Sequence, residues 1–279
     1  MVAFGTDQFQ CVIEGTWIPT TNGLKKIEDL RQGDELFSHN GLTKVKKVFS
    51  YSEAPVVKVT TRSGVEMIIT PNHKISTLRW IKSANDSQVY DSVLRLSKRR
   101  ENDKNPVKLV RMFKVPEVGD CIEVPKPMII GGNVSDKERC EAMVIGWMIG
   151  DGGVTNGIGY VTHSLEELDI QDYFKNIVDG FGNCDTETVR ASYTMKLLKN
   201  SKLNRFITSL FGNRCSALEK FIPDELMKKP KDYIDFLLKG LYSADGYCTE
   251  EQIVLTSSSK KLLMQVKQLL SVHYGINTS

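Results

Sequence analysis

Short segments of β-branched and alternating residues, separated by glycine-containing turns, fill the chain up to about Pro125. Val56–Thr60 and Val65–Thr70 carry the residue types that sheets favour. The stretch Cys11–Gly23 predicts one strand that runs into a tight hairpin turn, because Asn-Gly accepts the positive φ angles of such a turn. The N-terminal part of the chain is therefore predicted to be all-β.

Further along the chain the apolar residues recur at helical spacing instead. Ser135, followed by Glu138, predicts a capped helix that stops at Asp151-Gly152. A second apolar helix, Tyr233–Ala244, stops at Asp245-Gly246. A strand and another helix follow each of them, so the pattern predicts an α+β unit that occurs twice. The other predicted elements are strands at 159–162 and 253–256, a hairpin at 186–199, and helices at 165–179, 203–210 and 259–274.

The predicted all-β part contains a weak internal echo. Ile27–Leu36 and Val115–Ile122 each have an apolar lead, a Gly-Asp turn and a return strand. The echo supports the prediction that this region is all-β.

Length and composition limit the possible classes. With 279 residues, 41% of them apolar, two domains are expected. Six scattered cysteines without a Cys-x-x-Cys pair argue against a disulfide framework or a zinc knuckle and favour a reducing, cytoplasmic compartment. The chain has neither a signal-peptide pattern nor an apolar run near the roughly 20 residues that span a bilayer. We therefore expect a soluble protein, and a monomer, with no membrane partner.

Positive charge is concentrated in one segment, although the net charge is only +3. Between Arg79 and Lys114 there are ten lysines and arginines against four acids. The polar insertion at 79–111 is predicted to be either a disordered loop or an arm that contacts DNA.

The two apolar helices carry a matched pattern that favours a paired site. Gly146 matches Gly240, so that small residues let two helices approach closely. Asp151 matches Asp245, 94 residues apart, each followed by Gly152 or Gly246. Two carboxylates brought together repel unless a cation lies between them, and hard oxygen ligands suit Mg²⁺.

These segments resemble the paired motifs of the LAGLIDADG homing endonucleases. The resemblance implies a domain over 126–279, truncated in its second repeat, in which Asp151 and Asp245 bind Mg²⁺ for hydrolysis of double-stranded DNA. It also implies an antiparallel sheet that forms a saddle over a long DNA site. The DNA-contacting candidates are Thr155, Asn156, Tyr160, Thr162, His163, Arg190, Ser192, Lys196 and Lys199.

The N-terminal part resembles the splicing region of inteins, the Hint domain. The matching residues are Cys11, Gly33-Asp34 and Thr70-Pro71-Asn72-His73, in this order. The resemblance implies an all-β Hint fold over 11–125, horseshoe-like, preceded by an extein remnant at 1–10. Cys11 would attack the carbonyl of Gln10, His73 would protonate the amide nitrogen, Thr70 would donate a supporting hydrogen bond, and Asn72 is a candidate helper. The remaining histidines, His39, His163 and His273, are expected at the surface or in loops.

The residues that complete splicing in inteins are missing. No penultimate histidine and terminal asparagine occur before Ser279, so this chain is expected not to splice alone and to need a C-terminal intein segment in cis or in trans. The open alternatives are a truncated fragment, the N-terminal half of a split intein, and a non-catalytic or maturase-like LAGLIDADG protein that binds DNA.

Overall fold

The computed structural model describes residues 2–3, 10–38, 41–82, 92–97, 107–123, 128, 130–166, 168–179, 184–189 and 192–278. The chain divides into two compact units. Unit 1 comprises 1–128 together with 275–279, and unit 2 comprises 129–274. The boundary between them follows Met128, whereas the sequence placed it after Pro125.

Unit 1 is built from short strands in its described part. In chain order they are β1 (Val2–Ala3), β2 (Cys11–Val12), β3 (Trp17–Thr20), β4 (Gly23–Lys26), β5 (Glu35–Ser38), β6 (Gly41–Lys44), β7 (Phe49–Ser50), β8 (Val57–Thr60), β9 (Glu66–Ile69), β10 (Ile75–Lys82), β11 (Ser92–Ser97), β12 (Val107–Lys114) and β13 (Cys121–Ile122). They form three antiparallel sheets with the orders β7-β1-β2-β9-β8, β4-β3-β5-β6 and β11-β12-β10-β13. A small core of Ile27, Leu30, Leu36 and Val45 supports the second of these sheets.

The first hairpin differs from the sequence prediction. Cys11–Gly23 forms two strands, β2 and β3, which belong to different sheets. Thr20 pairs with Gly23, so Thr21 and Asn22 form the two-residue loop. The positive φ of 111° is at Gly23. Asn22 therefore lies in the loop without the positive φ angle that the sequence predicted for both residues of the Asn-Gly pair.

The internal echo corresponds to two turns with the same geometry. The φ angle is 94° at Gly33 and 95° at Gly119. In each turn the following aspartate accepts a hydrogen bond from the backbone N–H three residues earlier, at 2.8 Å for Asp34 and 2.9 Å for Asp120. A lysine also pairs with each carboxylate, at 2.8 and 2.9 Å. The two segments thus share local structure as well as sequence.

The basic segment folds, where it is described, into strands β10, β11 and β12, so the prediction of a disordered loop is wrong for these residues. Acidic residues of the turn leading to β13 and the residue after it pair with three of its described cations. Asp120 lies 2.6 Å from Arg79 and 2.9 Å from Lys114, and Glu123 pairs with Arg111. Contact of the segment with DNA stays a prediction.

Unit 2 combines helices with two antiparallel sheets. Its helices are α1 (Asp136–Asp151), α2 (Leu168–Asp179), α3 (Lys202–Phe211), α4 (Asp224–Met227), α5 (Lys231–Asp245) and α6 (Lys260–Tyr274). Its strands are β14 (Gly152–Thr155), β15 (Ile158–Ser164), β16 (Cys184–Val189), β17 (Ser192–Leu197), β18 (Arg214–Cys215), β19 (Gly246–Cys248) and β20 (Ile253–Leu255). The order is β16-β17-β15-β14-β18 in the larger sheet, and β19 pairs with β20. The α+β character predicted for this region is present.

The start of α1 follows from its sequence. Ser135 accepts a hydrogen bond from the backbone N–H of Glu138, whose side chain accepts one from the N–H of Ser135. Residues 142–150 of α1 are buried throughout, which is typical of a helix covered on all sides. Among the described helices, none combines the length and apolar character needed to cross a membrane.

Candidate functional site

Helices α1 and α5 cross with their backbones in contact, and a glycine of each helix lies at the crossing. A Cβ atom on Gly146 would lie 2.0 Å from the carbonyl oxygen of Leu237. A Cβ atom on Gly240 would lie 2.1 Å from the carbonyl oxygen of Met143. Any side chain at either position would therefore push the helices apart, and the structure places both predicted glycines where the helices meet.

The last turns of the two helices are also adjacent. A Cβ atom on Gly150 would lie 2.4 Å from Cβ of Ala244 and 3.5 Å from the backbone nitrogen of Asp245. Asp151 and Asp245 are the final residues of α1 and α5. Asp151 is exposed and Asp245 is half-buried. Two carboxylates thus leave neighbouring helix ends where water can reach them.

The glycines that follow these aspartates lead each helix directly into a strand. Gly152 has φ −147° and Gly246 has φ −96°, so both are extended and neither has the positive φ of a common helix cap. A Cβ atom would lie 2.2 Å from the carbonyl oxygen of Tyr160 at Gly152, and 2.4 Å from that of Tyr242 at Gly246. Both positions require glycine because any side chain would collide with these carbonyl oxygens.

Lys220 is a residue of this site that sequence reasoning missed. Its ammonium group donates a hydrogen bond to the carbonyl oxygen of Gly150, the residue before Asp151. The Ser259 hydroxyl donates to the backbone carbonyl of Lys220 at 2.5 Å, which ties the lysine to the start of α6. No sequence signal links Lys220 to Asp151, because they are about 70 residues apart and belong to different elements.

The two carboxylates fit a magnesium site that is completed by water and substrate phosphates. The described residues contain no group of three or more metal-ligating side chains. However, Mg²⁺ keeps several waters and is commonly held by one or two carboxylates together with substrate phosphates. Asp151 and Asp245 provide two carboxylates at adjacent helix ends, and this matches that requirement.

One face of the larger sheet carries polar side chains in register. Tyr160 lies opposite Lys196, and Thr162 lies opposite Thr194. Thr155 at the end of β14 lies opposite Arg214 of β18. Sequence reasoning missed Thr194 and Arg214, the latter because β18 is too short to be recognised from a pattern.

The other candidates for DNA contact fall into three groups. Lys199 is exposed in the turn after β17, and Asn156, with a φ of 53°, lies in the turn between β14 and β15. Ser192 is half-buried at the start of β17. Arg190 lies outside the described residues.

The position of His163 contradicts the predictions that it lies at the surface and contacts DNA. The side chain is 4% exposed, and its ring packs edge-on against Trp147 of α1 with the centroids 5.1 Å apart. It follows buried Gly159 and Val161 on the helix-facing side of β15, away from Tyr160 and Thr162. It is therefore neither a surface residue nor a candidate for DNA contact.

A second candidate site lies in unit 1, around Cys11. The backbone N–H of Cys11 donates a hydrogen bond to the hydroxyl oxygen of Thr70 at 3.0 Å, and the Cys11 carbonyl accepts one from the Thr70 N–H at 3.0 Å. The amide nitrogen of the Gln10–Cys11 bond is thus fixed by Thr70. The resemblance to inteins predicts that Thr70 donates a hydrogen bond, but in this structure its hydroxyl oxygen accepts one from that nitrogen.

His73 also lies against Cys11. A turn in which the His73 N–H donates to the Thr70 carbonyl at 3.0 Å brings the ring back towards β2. Burial lowers the pKa of His73, and a hydrogen bond with the Cys11 backbone partly offsets this. Within the described part of the chain, the buried Nδ1 atom of His73 has no hydrogen-bond partner. A neutral imidazole with a free ring nitrogen therefore adjoins the cysteine.

The remaining groups of this site are placed as follows. Cys11 is 1% exposed, and burial raises the pKa of its thiol. Gln10 is half-buried and Asn72 is exposed. A buried, protonated thiol needs a base before it can attack a carbonyl.

The other two histidines have different outcomes. His273 is 2% exposed on α6, so its predicted surface position is wrong. Burial lowers the pKa of its imidazole to about 4. His39 lies outside the described residues.

Comparison with protein families supports part of this picture. Residues 232–279 match the model of the family described as LAGLIDADG-like domain. The match contains Asp245 and Gly240, so the predicted resemblance of the second helix motif is confirmed. The first motif, around Asp151, lies outside the matched range.

Individual proteins give weaker likenesses. The replicative DNA helicase DnaB of Nostoc sp. (strain PCC 7120) is 24% identical over 259 residues, which cover 84% of this chain. The chain spans 25% of the length of that relative. A solved structure of mesophilic variants of the homing endonuclease I-DmoI matches 52% of this chain and 76% of its own, with a TM-score of 0.39 at 17% identity. A variant of I-DmoI in complex with its nicked target DNA, in the presence of Mn, matches 52% and 82%, with a TM-score of 0.39 at 16% identity.

Proposed function

We propose that unit 2 is a Mg²⁺-dependent endonuclease of the LAGLIDADG type that cuts double-stranded DNA. The observation that carries this proposal is the glycine-mediated crossing of α1 and α5, which brings the ends bearing Asp151 and Asp245 together. The family match over residues 232–279 supports it independently.

Each residue of the site has its own proposed role. Asp151 and Asp245 would hold the metal, which would supply Lewis-acid stabilisation of the phosphodiester. Lys220, anchored on the Gly150 carbonyl, brings a positive charge to the place where a scissile phosphate would lie. The helix crossing fixes the spacing of the two carboxylates, and a fixed spacing is needed for both to act on one DNA site.

The polar sheet face is the proposed DNA-binding surface. It presents Thr155, Tyr160, Thr162 and Lys196 on the side of β15 opposite His163. Arg214, opposite Thr155, adds a second positive charge. Such a mixture of hydroxyl and cationic groups can contact both phosphates and base edges.

The activity can be tested without knowing the target. The protein is incubated with a library of randomised double-stranded DNA and Mg²⁺, and the cut ends are sequenced. We expect cutting at one defined family of long sites, and no cutting in the presence of EDTA. Binding to defined sites without cutting would instead favour the non-catalytic or maturase-like alternative.

We further propose that Cys11 starts an intein-type reaction at the Gln10–Cys11 bond. Three contacts support this second function: the Thr70 hydroxyl on the Cys11 N–H, the Thr70 N–H on the Cys11 carbonyl, and His73 on the Cys11 backbone. The repeated turns at Asp34 and Asp120 are in keeping with the two related halves of a Hint domain. The relative from Nostoc aligns over 84% of the chain, which requires both units.

In the proposed step, one proton passes from the Cys11 thiol to the amide nitrogen through His73. His73 takes the thiol proton of Cys11, and the sulfur attacks the Gln10 carbonyl carbon to form a C–S bond. The C–N bond breaks as the imidazolium returns the proton to the amide nitrogen, which becomes the free α-amine of Cys11. Because the pKa of His73 is lowered, the ring is neutral at rest and readily gives its proton to the amide nitrogen once it is protonated.

Thiol cleavage tests this reaction. An added thiol would capture the thioester and release residues 1–10, which mass spectrometry detects. We expect slow release from the wild-type chain and none from Cys11→Ala, and release from both would contradict the assignment. An added C-terminal intein segment tests the split-intein alternative: splicing in trans would support it, and cleavage without splicing would count against it.

A further inference from the structure

The N-terminal strand of unit 1 occupies a slot between two other strands. Val2 lies opposite Val12 of β2 and opposite Ser50 of β7. Ala3 lies opposite Cys11 and opposite Phe49. β1 is antiparallel to both neighbours, so Val2 and Ala3 pair on both edges of their strand. A strand paired on both edges has its backbone N–H and C=O groups engaged by one neighbour or the other.

An open cleft continues this slot. It has a volume of about 530 Å³ and is lined by Ile13, Glu14 and the run from Tyr51 to Pro55. Ile13 and Glu14 directly follow β2, and Tyr51 directly follows β7. Because β1 is antiparallel to both strands, a bound strand that continued beyond the position of Val2 would pass between Ile13 and Tyr51 into this cleft.

The cleft carries negative charge. Glu14 and Glu53 line it from its two sides, and both are exposed. A lysine, an arginine or a free α-amino group on the entering strand would be attracted to this pair. An exposed ion pair contributes about 0.2–1 kcal/mol, so the preference would be modest.

We propose that the slot between β2 and β7, together with the cleft, is a binding site for the polypeptide that precedes Cys11, held as an added β-strand. The occupant is the chain's own segment 1–10, bound mainly through its backbone, so that many sequences are accepted. The site orients the acyl segment while it is bound to the Cys11 sulfur as a thioester, and retains it after that thioester has been cleaved. This last consequence rests on the proposed function, whereas the strand pairing does not.

Hydrogen exchange tests the pairing without any reaction at Cys11. In the Cys11→Ala chain, we expect Ala3→Pro to speed amide exchange at Phe49 at least tenfold, because proline removes the Ala3 donor to β7 and distorts the strand whose carbonyl accepts from the Phe49 amide. Thr6→Pro, outside the described strand, is the matched control and should leave exchange at this amide unchanged. Equal exchange in the two variants would overturn the proposal. A global loss of protection is recognised at Val110 of β12, which lies in another sheet.

Retention of the released segment 1–10 by the protein is measured on the chain with Cys11 intact, after cleavage by an added thiol. At millimolar protein, most of the released segment 1–10 should stay with the protein on ultrafiltration, and Ala3→Pro should move it into the filtrate. Cleavage with all of the segment in the filtrate would contradict retention. An absence of cleavage would contradict only the chemistry at Cys11, because the exchange experiment decides the pairing separately.

The cleft is tested by extending the N-terminus with one residue before Met1. A lysine extension should raise the ratio of retained to free segment roughly twofold to fivefold over a glutamate extension, in line with an exposed ion pair. The double variant Glu14→Gln and Glu53→Gln should abolish this difference. If the lysine and glutamate extensions behave alike in the wild-type chain, the cleft is not part of the site.

Discussion

Replacing Gly146 by alanine should separate helices α1 and α5. The new Cβ atom would lie 2.0 Å from the Leu237 carbonyl oxygen, at least 1 Å closer than Cβ atoms approach other atoms in proteins. Both partners are helix backbone, so neither can rotate away as a side chain would. The same reasoning applies to Gly240, whose added Cβ would lie 2.1 Å from the Met143 carbonyl oxygen.

The expected magnitude follows from two opposing effects. Overpacking of this kind costs typically about 1–3 kcal/mol. Alanine in place of glycine inside a helix returns about 0.5–1 kcal/mol. We therefore expect Gly146→Ala to lower the free energy of unfolding of unit 2 by up to about 2.5 kcal/mol, which corresponds to about 7 °C in Tm.

Gly131→Ala is the matched control. A Cβ atom there would meet nothing within 4 Å, and its φ is not positive. Thermal unfolding by circular dichroism measures stability, and DNA cutting measures activity at a temperature where both variants are folded. Gly146→Ala should lose cutting as well as Tm, because the spacing of Asp151 and Asp245 changes. A Gly146→Ala chain as stable and as active as Gly131→Ala would refute the close-crossing argument.

Further predictions concern single side chains. Lys220→Met should slow DNA cutting tenfold or more with little change in Tm, and Lys220→Arg should restore part of the rate, if the charge beside Gly150 matters in the reaction. Asp120→Asn should lower Tm more than Asp34→Asn, because the Asp120 carboxylate is 1% exposed and faces two cations, whereas that of Asp34 is 17% exposed and faces one; equal losses would count against this account. The pKa of His273 is lowered from 6.5 to about 4 in the folded chain, so the unfolded chain binds its proton more readily between these values. Stability should therefore fall as pH drops from about 6.5 towards 4, by up to about 3 kcal/mol, and His273→Gln should flatten this part of the unfolding profile.

The sequence predicted the elements of unit 2 well because their signals are local. The capping box at Ser135 and the repeated glycines and aspartates lie within single helices, where spacing alone determines which residues share a face. His163 was misplaced although a signal was available. Gly159, Val161 and His163 alternate with Tyr160 and Thr162 along one strand, and this alternation predicts an inward-facing histidine.

Other features depend on contacts between distant residues and could not be obtained from local patterns. Lys220 reaches Gly150 across about 70 residues. The cations of the basic segment find their acidic partners, Asp120 and Glu123, only when β13 folds against β10. A count of charges along the chain therefore does not reveal these ion pairs.

Cutting of DNA by single carboxylate variants tests the central claim most directly. Once the library experiment has supplied a target site, Asp151→Asn and Asp245→Asn are compared with the wild type at saturating Mg²⁺, with unfolding measured on the same samples. We predict that each variant keeps its fold, still binds the target, and loses cutting by at least a hundredfold. Wild-type cutting rates in either folded variant would contradict the assignment of the paired helix ends as the catalytic site.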